Sequence, residues 1–205
     1  MKRFLILASV MMLSAGAFAR QDAGTVTVQP KVGMNVANYA SSEDSDPRVG
    51  LAVGAEFGYQ ISKMLGVSAG VVYSMQGAKS TQRTTIPYGP SVKATLTAKT
   101  DYINIPILAN VYVFKGLALK VGVQPGFNVS SRYVISSQGV DLSGSLSDIG
   151  VDVKAFDFAI PVGISYEYKN IVLDARYNIG VTKIFENDDS KNRVFQLTLG
   201  YKFKL

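Results

Sequence analysis

Two clusters of carboxylates are the side chains of this sequence best suited to metal chemistry. The clusters consist of Glu43, Asp44 and Asp46, and of Glu186, Asp188 and Asp189. Carboxylate oxygens suit Ca²⁺ or Mg²⁺, so one interpretation is a divalent-cation site. Neither cluster has the residue spacing of a calcium-binding loop. We therefore favour solvated charges and predict no metal site and no cofactor site.

Catalytic chemistry is limited by two residue types that are missing. The chain contains no histidine and no cysteine. A serine or aspartate nucleophile needs a base that is active near neutral pH, and histidine is the usual one. We therefore predict no catalytic residues and no enzyme activity.

The charge balance and the lack of cysteine exclude two further classes of protein. Without Lys2 and Arg3, 19 of the 21 basic residues remain against 15 acidic ones, and they are spread evenly. This balance is too mild to predict nucleic-acid binding. With no disulfides available, stability must come from one large core or one closed sheet.

The N-terminus has the pattern of a secretory signal peptide. Lys2 and Arg3 precede an apolar run of about ten residues, which ends in small residues and the sequence Ala17-Phe18-Ala19. About 20 apolar residues are needed for a membrane-spanning helix, so a transmembrane anchor is the weaker interpretation. We predict a signal peptide at 1–19 and one mature domain at 20–205.

Eight segments of the mature chain alternate between apolar and polar residues. The last is the clearest, because Phe195, Leu197, Leu199, Tyr201 and Phe203 alternate with polar residues or glycine. A period of two is that of a β-strand with different environments on its two faces. The predicted strands are 26–36, 49–61, 65–76, 103–113, 117–130, 156–168, 173–182 and 195–205.

The connections between these strands alternate in length. Tight turns are predicted at 62–64, 115–116 and 169–170, and long polar loops at 39–48, 77–101, 133–153 and 186–193. Short and long connections therefore fall at opposite rims of an antiparallel up-and-down sheet. The two carboxylate clusters become neighbours when the first and last strands pair.

Two architectures fit eight such strands: a soluble barrel with an apolar interior, and a membrane barrel with an apolar exterior. Charged and amide side chains recur in the middle of the polar face among many glycines, and aromatic residues lie toward the strand ends. A polar lumen and interfacial aromatic girdles are typical of outer-membrane barrels. We therefore predict an all-β fold, an eight-stranded antiparallel up-and-down transmembrane β-barrel in the cell outer membrane.

A closed barrel with a polar lumen should have two further features. Its charges should pair with one another, because a lone buried charge is costly. The sequence leaves the pairing open. Positively and negatively charged residues are both present on the inward positions: Lys31, Glu56, Lys120, Asp157, Asp174 and Arg176. Pro106 and Pro161 lie inside predicted strands of a sheet without edges, so we expect β-bulges there.

Three segments carry a resemblance to a known family. They are Tyr102-Ile103-Asn104-Ile105-Pro106-Ile107, Gly122-Val123-Gln124-Pro125-Gly126, and the chain end from Asn192 to Phe203. With the signal peptide and the strand pattern, they resemble the PorT-like outer-membrane β-barrel family over essentially the whole mature chain. The resemblance implies insertion by the barrel assembly machinery, which reads a terminal aromatic residue, here Phe203. It also implies a possible role in protein secretion.

The second long loop is basic. Lys79, Arg83, Lys93 and Lys99 could contact phosphates of lipopolysaccharide, although a solvated loop, or one paired with acidic neighbours, is the favoured interpretation. We expect a structural or interaction role for a small barrel that displays loops, in contact with outer-membrane lipid, lipopolysaccharide and possible envelope proteins. An eight-stranded barrel is too narrow for a general porin. The alternatives are an accessory component of a secretion or assembly complex, and a soluble periplasmic barrel that binds an apolar ligand.

Overall fold

The computed structural model describes residues 22–40, 45–85, 91–137, 140–185 and 189–205. The predicted signal peptide at 1–19 lies outside the described residues. Strands form most of the described chain: β1 Val26–Tyr39, β2 Ser45–Gln60, β3 Leu65–Thr85, β4 Ser91–Asn104, β5 Ile107–Phe114, β6 Leu117–Ser137, β7 Val140–Ser145, β8 Phe156–Tyr168, β9 Ile171–Gly180, β10 Asn192–Tyr201 and β11 Phe203–Lys204. A 3₁₀ turn, Leu146–Ile149, follows β7.

The strands close into a ring of eight. β4 and β5 together form the fourth wall strand, and β10 and β11 together form the eighth. Closure is antiparallel, with Lys31 of β1 opposite Gly200 of β10 and Tyr39 opposite Asn192. Because a closed sheet pairs every strand on both sides, it leaves no unpaired edge in the wall. The predicted eight-stranded barrel is confirmed.

The wall has its apolar side chains outside and its polar side chains inside. In β10, Phe195, Leu199 and Tyr201 are exposed, whereas Gln196 and Thr198 are buried. The other wall strands likewise expose their apolar side chains and bury their polar ones. The exposed residues near the tight turns include the aromatic side chains Phe57, Tyr59, Tyr166, Tyr168 and Phe203. A soluble barrel with an apolar interior is therefore excluded.

No helix in the described part of the chain is long and apolar enough to cross a membrane.

Two of the predicted long loops, 77–101 and 133–153, consist mostly of regular strand. β3 and β6 have 21 residues each, about twice the 9–11 that cross a bilayer. Most of segment 77–101 is the end of β3 and the start of β4, and β7 adds a further strand beside β6. We call this part of the sheet, 77–85, 91–101, 131–137 and 140–145, the extension. The loop prediction was wrong here because this segment lacks the apolar alternation of the wall strands, whereas its many threonines still favour strand.

The two prolines interrupt the sheet without shifting its register. Val72 pairs with Asn104, and Ala69 pairs with Ile107, so both strands advance by three residues across Pro106. Similarly, β6 advances from residue 121 to 124 while β8 moves from 162 to 159, across Pro161. The bulges predicted at these prolines were wrong. The ladder has a gap on both sides of Pro106 and on the β6 side of Pro161, and the bulges lie elsewhere, such as between Pro47 and Ala52 and between Asp101 and Tyr102.

Candidate functional site: the closed lumen and the extension

A charged cluster fills the middle of the lumen. Its five members come from four wall strands: Lys31 on β1, Glu56 on β2, Lys120 on β6, and Asp174 and Arg176 on β9. Each lies on the inward face because it alternates with the exposed apolar residues of its strand, and each is buried. The pairing that the sequence left open is therefore decided by the order of strands around the ring.

Arg176 is the centre of this cluster. Its Nη1 and Nη2 donate to Glu56 Oε1 and Oε2 at 2.6 and 2.9 Å, and its Nη2 also donates to Asp174 Oδ2 at 2.8 Å. Lys31 donates to Glu56, and Lys120 Nζ donates to Asp174 Oδ2 at 2.5 Å. Three cations thus surround two carboxylates, so the cluster carries one excess positive charge.

Glycines on neighbouring strands make room for these long side chains. A Cβ added at Gly70 would lie 2.6 Å from Glu56 Cγ, and one added at Gly163 would lie 2.9 Å from Arg176 Cγ. Both distances are too short for a real side chain. The narrow lumen therefore needs its glycines where the charged side chains cross it, as the sequence predicted.

Asp157 does not join the cluster, contrary to the prediction that it would pair with a cation. Its Oδ1 accepts a hydrogen bond from Thr182 Oγ1 at 2.7 Å, and its Oδ2 accepts one from Asn192 Nδ2 at 2.9 Å. Nearer the tight turns, Lys202 Nζ donates to Glu167 Oε2 at 2.5 Å. Sequence reasoning missed this second ion pair, although both residues lie on inward positions of predicted strands.

The two ends of the lumen differ. A polar pocket lined by Gln60, Ser165 and Lys202 extends from the tight-turn rim to Glu56 and Lys120 of the cluster. At the other rim, Tyr39, Ala78 and Ile184 form a small apolar core, which we call the cap. Phe185 packs edge-on against Tyr39, with ring centroids 5.4 Å apart. Nothing in the sequence pattern indicated the cap, because its members come from three distant segments.

The neighbouring positions of the first and last long loops are confirmed. Ala40 N donates to Lys191 O at 2.9 Å, directly beyond the β1–β10 pairing. Of the six predicted loop carboxylates, only Asp46 and Asp189 are described; Glu43, Asp44, Glu186 and Asp188 lie outside the described residues. Asp189 forms an ion pair with Lys183, which lowers the pKa of its carboxyl group. The described residues contain no group of three or more potential metal ligands.

Comparison with known proteins identifies the family. Residues 18–186 match the family described as outer membrane protein beta-barrel domain. The chain belongs to this family. As a member of the outer membrane protein β-barrel domain family, it is located in the cell outer membrane, and its exposed apolar band faces lipid. No curated protein sequence matches the chain.

Several solved structures are similar to this β-barrel domain. Ail, the attachment invasion locus protein of Yersinia pestis, is 16% identical, with 88% of this chain and 99% of that chain covered and a TM-score of 0.44. Neisserial surface protein A is also 16% identical, with 88% and 97% covered and a TM-score of 0.41. OprG from Pseudomonas aeruginosa is 10% identical, with 91% and 99% covered and a TM-score of 0.38.

Proposed function

We propose that this small outer-membrane barrel has an interaction role, with its extension as the working surface, and that it does not conduct solutes. The observation that supports this proposal most directly is the closed lumen. The charged cluster crosses its middle, and the cap of Tyr39, Ala78 and Ile184 lies at the rim beside the extension. Outer-membrane barrels place short turns in the periplasm and longer connections outside, so the extension faces the exterior.

Conductance measurements test the closed lumen. Because Arg176 bridges Glu56 and Asp174 across the barrel, we expect no steady ion current when the refolded protein is inserted into a planar bilayer. A large trimeric porin in the same bilayers serves as the positive control, and migration on gels with and without boiling verifies folding. A stable current in the folded protein would contradict the proposal and would make the lumen a channel.

The interaction role is tested by shortening the extension without disturbing the wall. Lys79 and Thr97 are cross-strand partners, so residues 80–96 can be replaced by the two-residue turn Asn-Gly. We expect this variant to insert normally and to lose the envelope proteins that crosslink to the full chain in intact cells. A matched control replaces the tight turn at 115–116 by Asn-Gly. Identical crosslinked partners in all three proteins would contradict a role for the extension.

The finer resemblance to PorT-like proteins supports a second candidate role, as an accessory component of a secretion or assembly complex. It depends on the segments at 102–107, 122–126 and 192–203, and in the structure these lie in or beside the wall. A wall contact would survive shortening of the extension. Partners that co-purify with both the full chain and the shortened variant would therefore favour this candidate.

Export by a signal peptide at 1–19 is likewise a proposal. We expect the protein isolated from outer membranes to begin at Arg20, because signal peptidase requires small residues at Ala17 and Ala19. N-terminal sequencing checks this position. Replacing Ala19 with arginine should leave an uncleaved precursor, whereas the same change at Gln21 should not. A mature protein that retains Met1 would contradict the proposal.

A further inference from the structure

A group of basic residues lies on the outward face of the extension. Lys99 on β4 is directly opposite Arg132 on β6, and Lys79 lies on β3, opposite Thr97. Directly opposite residues share a face, and so do residues two apart along one strand. Lys79, Lys99 and Arg132 therefore lie on one face, where Lys79 and Arg132 are exposed and Lys99 is half-buried. We call these three residues the basic face.

The basic face continues the lipid-facing surface of the wall. Along β3, Val71 and Tyr73 have the same parity as Lys79, and along β4, Ile103 has the same parity as Lys99. Val71 and Ile103 are exposed to the outside of the barrel. The change from apolar to basic thus occurs on one continuous face, just beyond the band that contacts lipid. This is the level at which lipid headgroups lie.

The cations of this face lack protein partners. Within the described residues, Lys79, Lys99 and Arg132 take part in no ion pair. Asp101, the nearest carboxylate on β4, is already engaged: it lies 3.6 Å from Arg48 Nη1 and accepts a hydrogen bond from the Tyr73 hydroxyl at 2.9 Å. Asp46 lies opposite Lys79 but forms no ion pair with it among the described contacts.

Other acidic residues are few on this face. Asp141 on β7 lies opposite Ser136, near the far end of the extension. The backbone register also pairs Arg83 with Lys93 in the hairpin of β3 and β4. Like charges directly opposite each other are unfavourable in a sheet unless an anion lies between them. An anionic ligand bound between Lys99 and Arg132 would therefore reduce their repulsion.

We propose that the basic face binds the phosphate groups of lipopolysaccharide in the outer leaflet. The arginine fork can bind a phosphate through two parallel hydrogen bonds, and lysines supply compact positive charge. The inference rests on the proposed function only for the orientation of the extension toward the cell exterior. It assigns a ligand class to a face that the interaction role leaves without one.

The experiment measures lipid retention by the purified full-length barrel. The protein is stripped of lipid in a nonionic detergent and incubated with lipopolysaccharide, with chemically dephosphorylated lipopolysaccharide, or with phosphatidylglycerol; bound lipid is quantified after affinity purification. The test variant combines Lys79→Gln, Lys99→Gln and Arg132→Gln. The matched control combines Lys63→Gln, Lys115→Gln and Lys169→Gln, three exposed lysines at the opposite rim. Gel mobility with and without boiling verifies that all three proteins are folded.

We expect the test variant to bind lipopolysaccharide about tenfold more weakly than the parent, since three charge contacts at the surface contribute roughly twofold to fivefold each. The control variant should bind like the parent, and the parent should discriminate against the dephosphorylated lipid. An equal loss in both variants, no discrimination against the dephosphorylated lipid, or equal retention of phosphatidylglycerol would overturn the proposal. None of these outcomes affects the closed lumen or the crosslinked partners, so the proposed function is judged separately.

Discussion

Glu56→Gln is expected to lower the free energy of unfolding by about 3–5 kcal/mol, the usual cost of breaking a buried ion pair by removing one partner. The substitution keeps the shape of the side chain but removes a carboxylate that binds both Lys31 and Arg176. Three buried cations would then share Asp174 alone. Urea titration of the barrel in lipid vesicles, followed by gel mobility without boiling, measures the change.

Arg176→Met provides the informative comparison. Arg176 contacts both carboxylates of the cluster, and its Nε also lies 2.7 Å from Asp174 Oδ1, so it makes the most contacts of the five. Its removal nevertheless leaves two cations and two carboxylates, with Lys31 still bonded to Glu56 and Lys120 to Asp174. We therefore expect a smaller loss than for Glu56→Gln. Glu167→Gln, in the largely buried pair with Lys202, should also cost less than Glu56→Gln, which breaks contacts with two cations. A reversed order of Glu56→Gln and Arg176→Met would show that contact number outweighs charge balance.

Leu199→Arg is expected to destabilise the inserted barrel by about 2–4 kcal/mol, the cost of a basic side chain near the bilayer midplane. Leu199 is 53% exposed and lies between the outward aromatic residues Phe195 and Tyr201, so it marks the middle of the apolar band. The same vesicle titration measures the effect, together with the yield of folded protein recovered from outer membranes.

Leu142→Arg is the matched control for this substitution. Leu142 is 63% exposed, more than Leu199, but it lies on β7 of the extension, where water surrounds the sheet. A surface change of this kind should alter stability by no more than about 0.5 kcal/mol. If both leucines tolerated arginine equally, the surface around Leu199 would not be in contact with lipid.

The architecture was predictable because its physical cause is periodic. A strand between lipid and a polar lumen must alternate at every residue, and this pattern is visible in β2, β8, β9 and β10. The glycines of the lumen and the outward aromatic residues of the turn rim followed from the same argument. The prediction that the apolar face points outward was therefore correct.

The strands of the extension were not predicted, because their sequence lacks this periodicity. Between Gly77 and Asp101 apolar and polar residues do not alternate, so no apolar period indicates a strand, yet β3 and β4 remain paired from Val72–Asn104 to Thr85–Ser91. The basic residues of this segment were recognised as a group, but only the strand register shows that Lys79, Lys99 and Arg132 share a face. The expected bulges at Pro106 and Pro161 failed because a missing ladder bond does not require a register shift.

By itself, the sequence determined the number of wall strands, their alternation, and which face of each strand is apolar and which is polar, since these depend on local periodicity. Which charges meet was decided only by the tertiary structure. Glu56 and Arg176 are 120 residues apart in sequence and become neighbours because ring closure brings β1, β2, β6 and β9 around one narrow lumen. The cap likewise joins Tyr39, Ala78 and Ile184 from separate segments. Contacts across a closed ring depend on strand order and register, and local patterns carry little information about either.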